Sequence, residues 1–451
     1  MLKITCHGGA GAATGANFLL EFKAGEVEKR ILVDCGMLQG VSGAGDHNSR
    51  PFPYDPASVE TLFITHAHID HTGLIPKLVK DGFLGEIYST PETKDIAALL
   101  MMDAAKINSH HENPIYTQSD VEKALGNWKT ISYHEKKDFG GFSVEPFNAG
   151  HILGSAMLKF TFPSGKSALF TGDLGNSPSL LLPDVERVSG MDYILIESVY
   201  GDRNHEDKDD REEKFERIVK ETIEKGGTLL IPAFSLERTQ TLLYQLDNLF
   251  EDKKVPVVPV FLDSPLAIRL TDIYERSSAL YNKETREEIE GGDNIFKFKG
   301  LRETPSARDS QTIAKVHGAK IIIAGSGMST AGRIVGHEEI YLPDPSSTIL
   351  LPGYQGHGTL GRDIEENRGY VMIDGKKIPV RARVEKIDGF SAHADSNALV
   401  DFVSNAGEGV KKVLVAMGEP HSSMFLAQRI RDELGVEAIA TEEGKSYELD
   451  I

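Results

Sequence analysis

The rhythm of apolar and polar positions changes near residue 200. Before about residue 175, short apolar runs such as Ile31-Leu32-Val33, Thr61-Leu62-Phe63-Ile64-Thr65 and Ala168-Leu169-Phe170 are broken by glycine turns. Helical stretches at 72–80 and 92–108 alternate with them, a mixed α/β layer pattern. Beyond Glu197 the helices lengthen, at 211–225 and 236–250, and alternate with apolar strands at 228–234, 257–262 and 320–324. Such strand–helix alternation predicts a parallel sheet. The final stretch predicts a strand at 412–415, a helix at 422–434 and a closing strand near 436–440. No internal repeat and no low-complexity linker is visible.

The strand pattern acquires chemical meaning where it ends. Directly after Thr61-Leu62-Phe63-Ile64-Thr65 comes His66-Ala67-His68-Ile69-Asp70-His71-Thr72, three imidazoles and a carboxylate within seven residues. Alternate residues of an extended chain share a face, so His66 and His68 point the same way, while Asp70 and His71 reach towards a second position. Neutral imidazole and carboxylate are what zinc takes when no thiolate is offered. Several imidazoles desolvated together without an ion would have no compensating partner. The cluster therefore predicts a two-metal hydrolytic site. Further ligands are expected from His151, in Asn148-Ala149-Gly150-His151-Ile152-Leu153-Gly154-Ser155, and from Asp173, in Thr171-Gly172-Asp173-Leu174-Gly175. Both lie at strand ends flanked by glycine, which permits positive-φ turns that aim a side chain inward. Asp34, in Ile31-Leu32-Val33-Asp34-Cys35-Gly36, is expected to orient a ligating histidine from behind.

In this order the motifs resemble the metallo-β-lactamase-fold nucleases of the β-CASP group, which include bacterial endoribonucleases and the endonuclease of the pre-mRNA 3′-end cleavage machinery. The resemblance runs nearly end to end. Asp34 matches the first motif, His66 to His71 the second, His151 the third and Asp173 the fourth. Glu197, in Ile196-Glu197-Ser198-Val199-Tyr200-Gly201-Asp202-Arg203, and His393, in Gly389-Phe390-Ser391-Ala392-His393-Ala394-Asp395, match two motifs special to the β-CASP group. The last family motif, a histidine in an LVHGE strand end that supplies a seventh metal ligand, fails. The matching stretch is Leu414-Val415-Ala416-Met417-Gly418-Glu419, and a thioether is a weak ligand for zinc. Met417 is read as a packed side chain, with His421 as a candidate substitute ligand.

The resemblance implies an αββα metallo-β-lactamase sandwich from residues 1–201 plus 392–451, with an inserted α/β β-CASP domain at 202–391 and an active site in the cleft between them. It implies zinc, two ions per chain, the second more weakly held for want of the missing histidine. His66, His68 and His151 would take the first ion, Asp70 and His71 the second, with Asp173 bridging. A metal-bridging hydroxide would attack phosphorus. His393 would act as general acid with Glu197 orienting it, and Asp70 counts among the catalytic groups through its ion. In the insertion, Gly325-Ser326-Gly327-Met328-Ser329-Thr330-Ala331-Gly332-Arg333 follows an apolar strand and offers a phosphate cradle through Ser326, Gly327, Ser329 and Arg333. Tyr354 would stack on a base and Arg362 pair with phosphate. Ser235 is read as a helix N-cap and Arg238 as a further phosphate contact.

Composition narrows the class without naming the substrate. At 451 residues, 40% hydrophobic and 26% charged, the chain supports two or three ordinary globular domains. No window approaches eighteen apolar residues, and the start lacks a basic region followed by an apolar core, which argues against export or a membrane. Two cysteines, Cys6 and Cys35, are too few for a disulfide framework and point to a reducing cytoplasm. A net charge of -19 is awkward for a binder of phosphates, yet 295–390 holds 14 Lys and Arg against 11 Asp and Glu. The run from Glu206 to Glu216 reads as a solvated helix face.

The predicted function is a zinc-dependent hydrolase of single-stranded RNA, an endonuclease in preference to a 5′ exonuclease. The endonuclease preference follows from the missing C-terminal domain of the exonuclease branch and from the lack of any obvious terminal-phosphate pocket. Two other classes compete. A hydrolase of a small ester or thioester needs no second wall the size of 202–391, and a non-catalytic RNA-processing subunit does not need the intact His66–His71, His151 and Asp173 set. Oligomeric state is left open, a homodimer included.

Overall fold

In the computed structural model, residues 1–24, 27–41, 43–109, 113–205, 208–387 and 390–451 are described. They divide into two compact units, Met1–Asn204 with His393–Ile451, and His205–Ala392.

The first unit is built on two seven-stranded sheets. One runs in the order Ser446–Leu449, Leu2–Gly8, Asn17–Ala24, Val27–Val33, Thr61–Phe63, Glu86–Ser89, Trp128–Thr130. The other runs Glu437–Ala440, Lys412–Val415, Tyr193–Ile196, Ser167–Phe170, Ala156–Thr161, Ser143–Asn148, Lys137–Asp138. Strand periodicity explains how one apolar run feeds two cores. Tyr193 and Leu195 join Phe18, Phe22, Phe160 and Phe170 in the core between the sheets. Ile194 and Ile196, pointing the other way, pack with Leu399, Val403 and Leu426 from the helices Ser396–Asn405 and Pro420–Leu434. Strands buried on both faces read as unbroken apolar stretches. The αββα layering expected for this part of the chain is thereby present.

The second unit carries a six-stranded sheet in the order Leu301–Glu303, Val260–Leu262, Lys320–Ala324, Thr228–Pro232, Thr348–Leu351, Arg383–Lys386. Every pairing in it is parallel, as strand–helix alternation predicts. A small antiparallel pair, Tyr370–Ile373 with Lys376–Pro379, stands apart.

Three sequence expectations need correction. The chain does not close at 436–440: Ser446–Leu449 forms a further strand, antiparallel to the N-terminal one with Leu2 opposite Leu449. Four residues of alternating exposure are too short to stand out as a pattern. Ser235 is not a helix cap, because the helix begins at Arg238 after Glu237, and Ser235 Oγ lies instead 3.4 Å from Ser264 Oγ. The acidic run is not uniformly solvated. Glu206 and Asp207 lie outside the described residues, and within the helix Lys208–Glu224 Arg211 is buried, its guanidinium over the Phe390 ring.

A close backbone approach in the first unit fixes the histidine-bearing loop. Cys35 N donates to His71 O, Met37 N to Ile69 O and Ala16 N to Asp70 O, at 2.8, 3.0 and 2.8 Å. Between these bonds sits Gly36, where a Cβ would lie 1.6 Å from Asp70 O and 2.7 Å from His71 N. Only a residue without a side chain fits. Gly36→Ala is expected to lose about 1–3 kcal/mol of stability in thermal or urea unfolding. Gly126→Ala, where a Cβ meets nothing within 4 Å, should stay within about 0.5 kcal/mol of the unsubstituted protein.

Candidate metal centre

The Thr61–Phe63 strand hands the chain to Thr65, which is buried against Asp34: its N and Oγ1 donate to Asp34 Oδ1 and Oδ2, both at 2.8 Å. The loop then turns into the short helix Ile69–Thr72, with His68 at its N-cap. His151 arrives after the Ser143–Asn148 strand, in a turn fixed by Ser155 Oγ, which accepts from His151 N and Ile152 N. Asp173 follows the Ser167–Phe170 strand. The glycines before these two ligand candidates, Gly150 and Gly172, take φ of 65° and 55°, the turn geometry expected of them.

Among the described residues, three groups bring possible ligand atoms within 4.8 Å of one another: His66, His68, His151 and Asp173; Asp70, His71 and Asp173; and Asp173, Glu197 and His393. In the first, His68 Nδ1 lies 3.1 Å from His66 Nε2 and 3.2 Å from His151 Nε2. Asp173 Oδ2 lies 3.5 Å from His66 Nε2 and 3.6 Å from His151 Nε2. Tetrahedral zinc with ligand bonds of about 2.0–2.1 Å sets its ligands roughly 3.3 Å apart, so this spacing fits one ion. In the second group, Asp173 Oδ1 is 3.4 Å and Asp70 Oδ2 is 4.0 Å from His71 Nε2. His71 Nε2 and Asp173 Oδ1 are buried without a hydrogen-bond partner. A buried polar atom left so is costly, and a cation between the two removes the cost. Asp34 Oδ2, 2.8 Å from His71 Nδ1, sets the ring so that Nε2 is the atom turned towards Asp173.

The third group differs in its partners. Glu197, fully buried, accepts from Leu174 N at 2.7 Å and Val199 N at 3.3 Å, and its oxygens lie 3.2 and 3.3 Å from His393 Nδ1. The His393 ring stands 4.6 Å from that of His151.

Electrostatics sorts these groups. Burial lowers His66 well below the ordinary imidazole range and His68 to about 4, so both are neutral and able to ligate. At His71 burial opposes the charge, but Asp173 and Asp34 outweigh it and hold the group well above its usual range. Asp173 is driven well below the carboxylate range because His71 and His66 overcome its burial. Burial raises Asp70 to about 6 and also raises Glu197. At His393 burial is overcome by Glu197, which raises it to about 9. The cluster thus places two neutral imidazoles, His66 and His68, beside two histidines that neighbouring carboxylates hold above the usual range, His71 and His393.

The structure separates the remaining candidates. Met417 is buried in the core between the sheets, its Sδ where a Cβ on Gly9 would fall. His421, the candidate substitute, stands apart from the ligand groups: its side chain is 78% exposed, its Nδ1 lies 3.1 Å from Asp202 Oδ2, and among the described residues it joins none of the three groups. In the second unit, Ser329 is buried with its hydroxyl on Glu338, and Arg333 is spent on Asp263 and the carbonyls of Thr304 and Pro305. Both act as internal struts and not, as expected, as groups offered to phosphate. Ser326 Oγ accepts from Thr330 N and Ala331 N within its own turn, and the Phe234 ring fills the space beside Gly327. Arg362 pairs with Glu365 and Glu366, while Tyr354 is 56% exposed. Gly389, at the start of the His393 motif, lies outside the described residues. Sequence reasoning passed over Thr65 and Ser155, which fix the ligand-bearing turns. A hydroxyl residue beside a predicted ligand was the available signal.

Comparison with known proteins places these features in a family context. Residues 17–225 match the metallo-beta-lactamase superfamily, 239–364 the Beta-Casp domain, and 377–441 the Zn-dependent metallo-hydrolase RNA specificity domain. A ribonuclease of Thermus thermophilus is 34% identical over 427 residues, covering 95% of each chain. Transcription termination factor FttA of Methanosarcina mazei is 30% identical over 456 residues, 97% of this chain and 70% of that protein. Cleavage and polyadenylation specificity factor 73 of Drosophila melanogaster is 32% identical over 406 residues, 88% of this chain and 57% of that one. A crystal structure of a protein of unknown function from Enterococcus faecalis V583 shares the fold at 13% identity, with a TM-score of 0.56 over 99% of both chains.

The arrangement of partners predicts graded effects on metal binding. Asp173→Ala removes a carboxylate common to all three groups and should leave no tightly held metal after dialysis. Asp34→Ala, which frees His71 to rotate, should weaken metal affinity about 10- to 100-fold. His421→Ala should leave metal content unchanged. Emission spectroscopy of dialysed protein and competition with a chromogenic chelator measure all three.

Proposed function

Because the chain belongs to the β-CASP ribonuclease family of the metallo-β-lactamase superfamily, we propose that it is a zinc-dependent hydrolase of RNA phosphodiester bonds that cuts within single strands. One observation carries this reading: two mostly buried ligand groups meet at Asp173, and a His393–Glu197 pair stands against the same carboxylate, with His393 Nδ1 3.9 Å from Asp173 Oδ2.

His66, His68, His151 and Asp173 would hold one ion, and Asp70, His71 and Asp173 the other. Divalent ions held there would lower the pKa of water towards neutrality and would neutralise charge on the phosphoryl oxygens. Asp34 engages His71 at Nδ1, so that Nε2 is the atom that would meet the ion. Glu197 holds His393 at Nδ1, which fixes the ring and stabilises its charged form; His393 then delivers its proton to the departing 3′-oxygen. The two free, buried cysteines fit a reducing cytoplasm, and among the described residues no helix is long and apolar enough to cross a membrane.

His393→Ala tests the division of labour. RNA hydrolysis should fall about 10²- to 10⁴-fold with zinc content unchanged. Loss of zinc together with activity would make His393 a ligand. Incubation with circular single-stranded RNA tests the mode of cutting: the circle should be opened, and an intact circle beside degraded linear RNA would show an enzyme that needs a free end.

The ligand count also predicts unequal ions. Four side chains serve one position and three the other, with Met417 packed away from both groups. Stepwise chelation should resolve one tight and one weaker zinc, and Met417→His should narrow the gap if the new imidazole turns towards Asp70. Two equal affinities in the unsubstituted protein would contradict the assignment.

A further inference from the structure

Resting on the RNA-hydrolase reading, we propose that the first unit carries a nucleic-acid track that leads away from His393 across Tyr200 and Arg203 to His421 and Phe425, binding the bases and backbone of a single RNA strand beyond the scissile phosphate. These residues form a chain of contacts. The Tyr200 ring centroid lies 6.3 Å from that of His393, and Arg203 sets its guanidinium 4.7 Å over the Tyr200 ring. Arg203 Nη1 meets Asp202 Oδ1 at 3.0 Å; the other oxygen of that carboxylate lies 3.1 Å from His421 Nδ1. The His421 ring then stacks with Phe425 one helical turn on, at 6.3 Å and 21°.

The track is built and open. Ser422 Oγ donates to Asp202, and Ser396 binds the carbonyls of this turn through its N to Arg203 O and its Oγ to Gly201 O. The turn that carries Arg203 and the Asp202 carboxylate that faces His421 are thereby fixed. Arg203 and His421 are 55% and 78% exposed in their side chains, and Phe425 is 45% exposed beside Met424 at 58%. Alternation of aromatic faces with a guanidinium is the surface chemistry that binds single strands, since every base has a stacking face and the guanidinium meets phosphate. Asp202 engages one edge of a five-donor guanidinium, which leaves the group able to bridge to an anion. A protein of net charge -19 has little to gain from a diffuse cationic surface, so stacking next to the reacting site is the economical way to hold the strand.

The closest rival occupant is a second copy of this chain, seated on Met424 and Phe425. One experiment decides. Anisotropy of a labelled short phosphorothioate oligouridylate, which resists cutting, is titrated with full-length metal-loaded protein for the unsubstituted chain, Phe425→Ala, Phe425→Leu, Phe425→Trp and Arg203→Ala. Thermal midpoints check the fold, and sedimentation checks the assembly state. Phe425→Ala and Phe425→Leu should weaken binding about 5- to 150-fold, the loss of one stacked base, while Phe425→Trp retains it. Arg203→Ala should also make the plot of log affinity against log salt shallower by about 0.7, one phosphate contact on a single strand. Equal RNA affinity in all variants, with binding intact in the unsubstituted protein, would overturn the track and leave the hydrolase reading standing. So would a dimer that Phe425→Ala splits without loss of RNA affinity. Failure of the unsubstituted protein to bind or cut any RNA overturns the hydrolase reading itself, and the track with it.

Discussion

The buried carboxylate of Asp173 is the constraint around which the first unit is organised. It is 2% exposed, belongs to all three candidate ligand groups, and keeps one oxygen without a hydrogen-bond partner. Four imidazoles crowd the same space, and ring centroids of His66 and His71 are only 3.9 Å apart. Left to themselves, such groups repel as cations or waste their lone pairs as neutral rings, and each desolvated charge costs several kcal/mol. Divalent ions reverse both penalties at once. The cluster is thus stable in proportion to its occupancy, and folding and metal affinity are linked through the same few atoms.

That constraint explains why the ligand-bearing segments leave the sheets where they do. The strands Thr61–Phe63, Ser167–Phe170, Tyr193–Ile196 and Lys412–Val415 run in parallel pairings, and their carboxyl ends carry His66 to His71, Asp173, Glu197 and Met417. Parallel strands release successive loops at one edge, so residues far apart in sequence meet without long excursions. Backbone bonds then set the loops against each other, as between Gly36 and the Asp70–His71 turn. Positions that look like punctuation in the sequence are contact points in the fold.

Legibility in the sequence followed the range of the interaction. The His66–His71 cluster stood out because local spacing alone specifies its chemistry, and the parallel sheet of the second unit because apolar strands and amphipathic helices alternate over short distances. The Ser446–Leu449 strand is not legible in the sequence because its identity comes from pairing with Leu2–Thr5 at the other end of the chain. The same limit applies to side-chain roles. Arg333 and Ser329 look like phosphate contacts in a glycine-rich loop, and nothing nearby in sequence announces that Asp263 and Glu338 will claim them. Thr65 stands next to the most conspicuous motif in the chain, yet its function appears only when Asp34 is brought across from another strand.

Those internal claims also change how an acidic protein holds an anionic polymer. The local surplus of cations in 295–390 invited a phosphate-binding surface, but Arg333, Arg362 and Arg383 are each engaged by carboxylates of the same unit. Counting basic residues therefore overstates the charge available to RNA. What remains lies at the candidate metal centre: the side-chain groups that could hold metal ions, a His393 that Glu197 keeps above its usual range, and the stacking surface that adjoins them. Contacts of that kind are short-ranged and weakly screened compared with a spread of lysines, so affinity should depend more on metal occupancy and unstacked bases than on ionic strength. On the proposed reading, a site organised in this way would favour flexible single strands at the point of cutting, because only an unpaired base can leave its neighbours to stack on the protein.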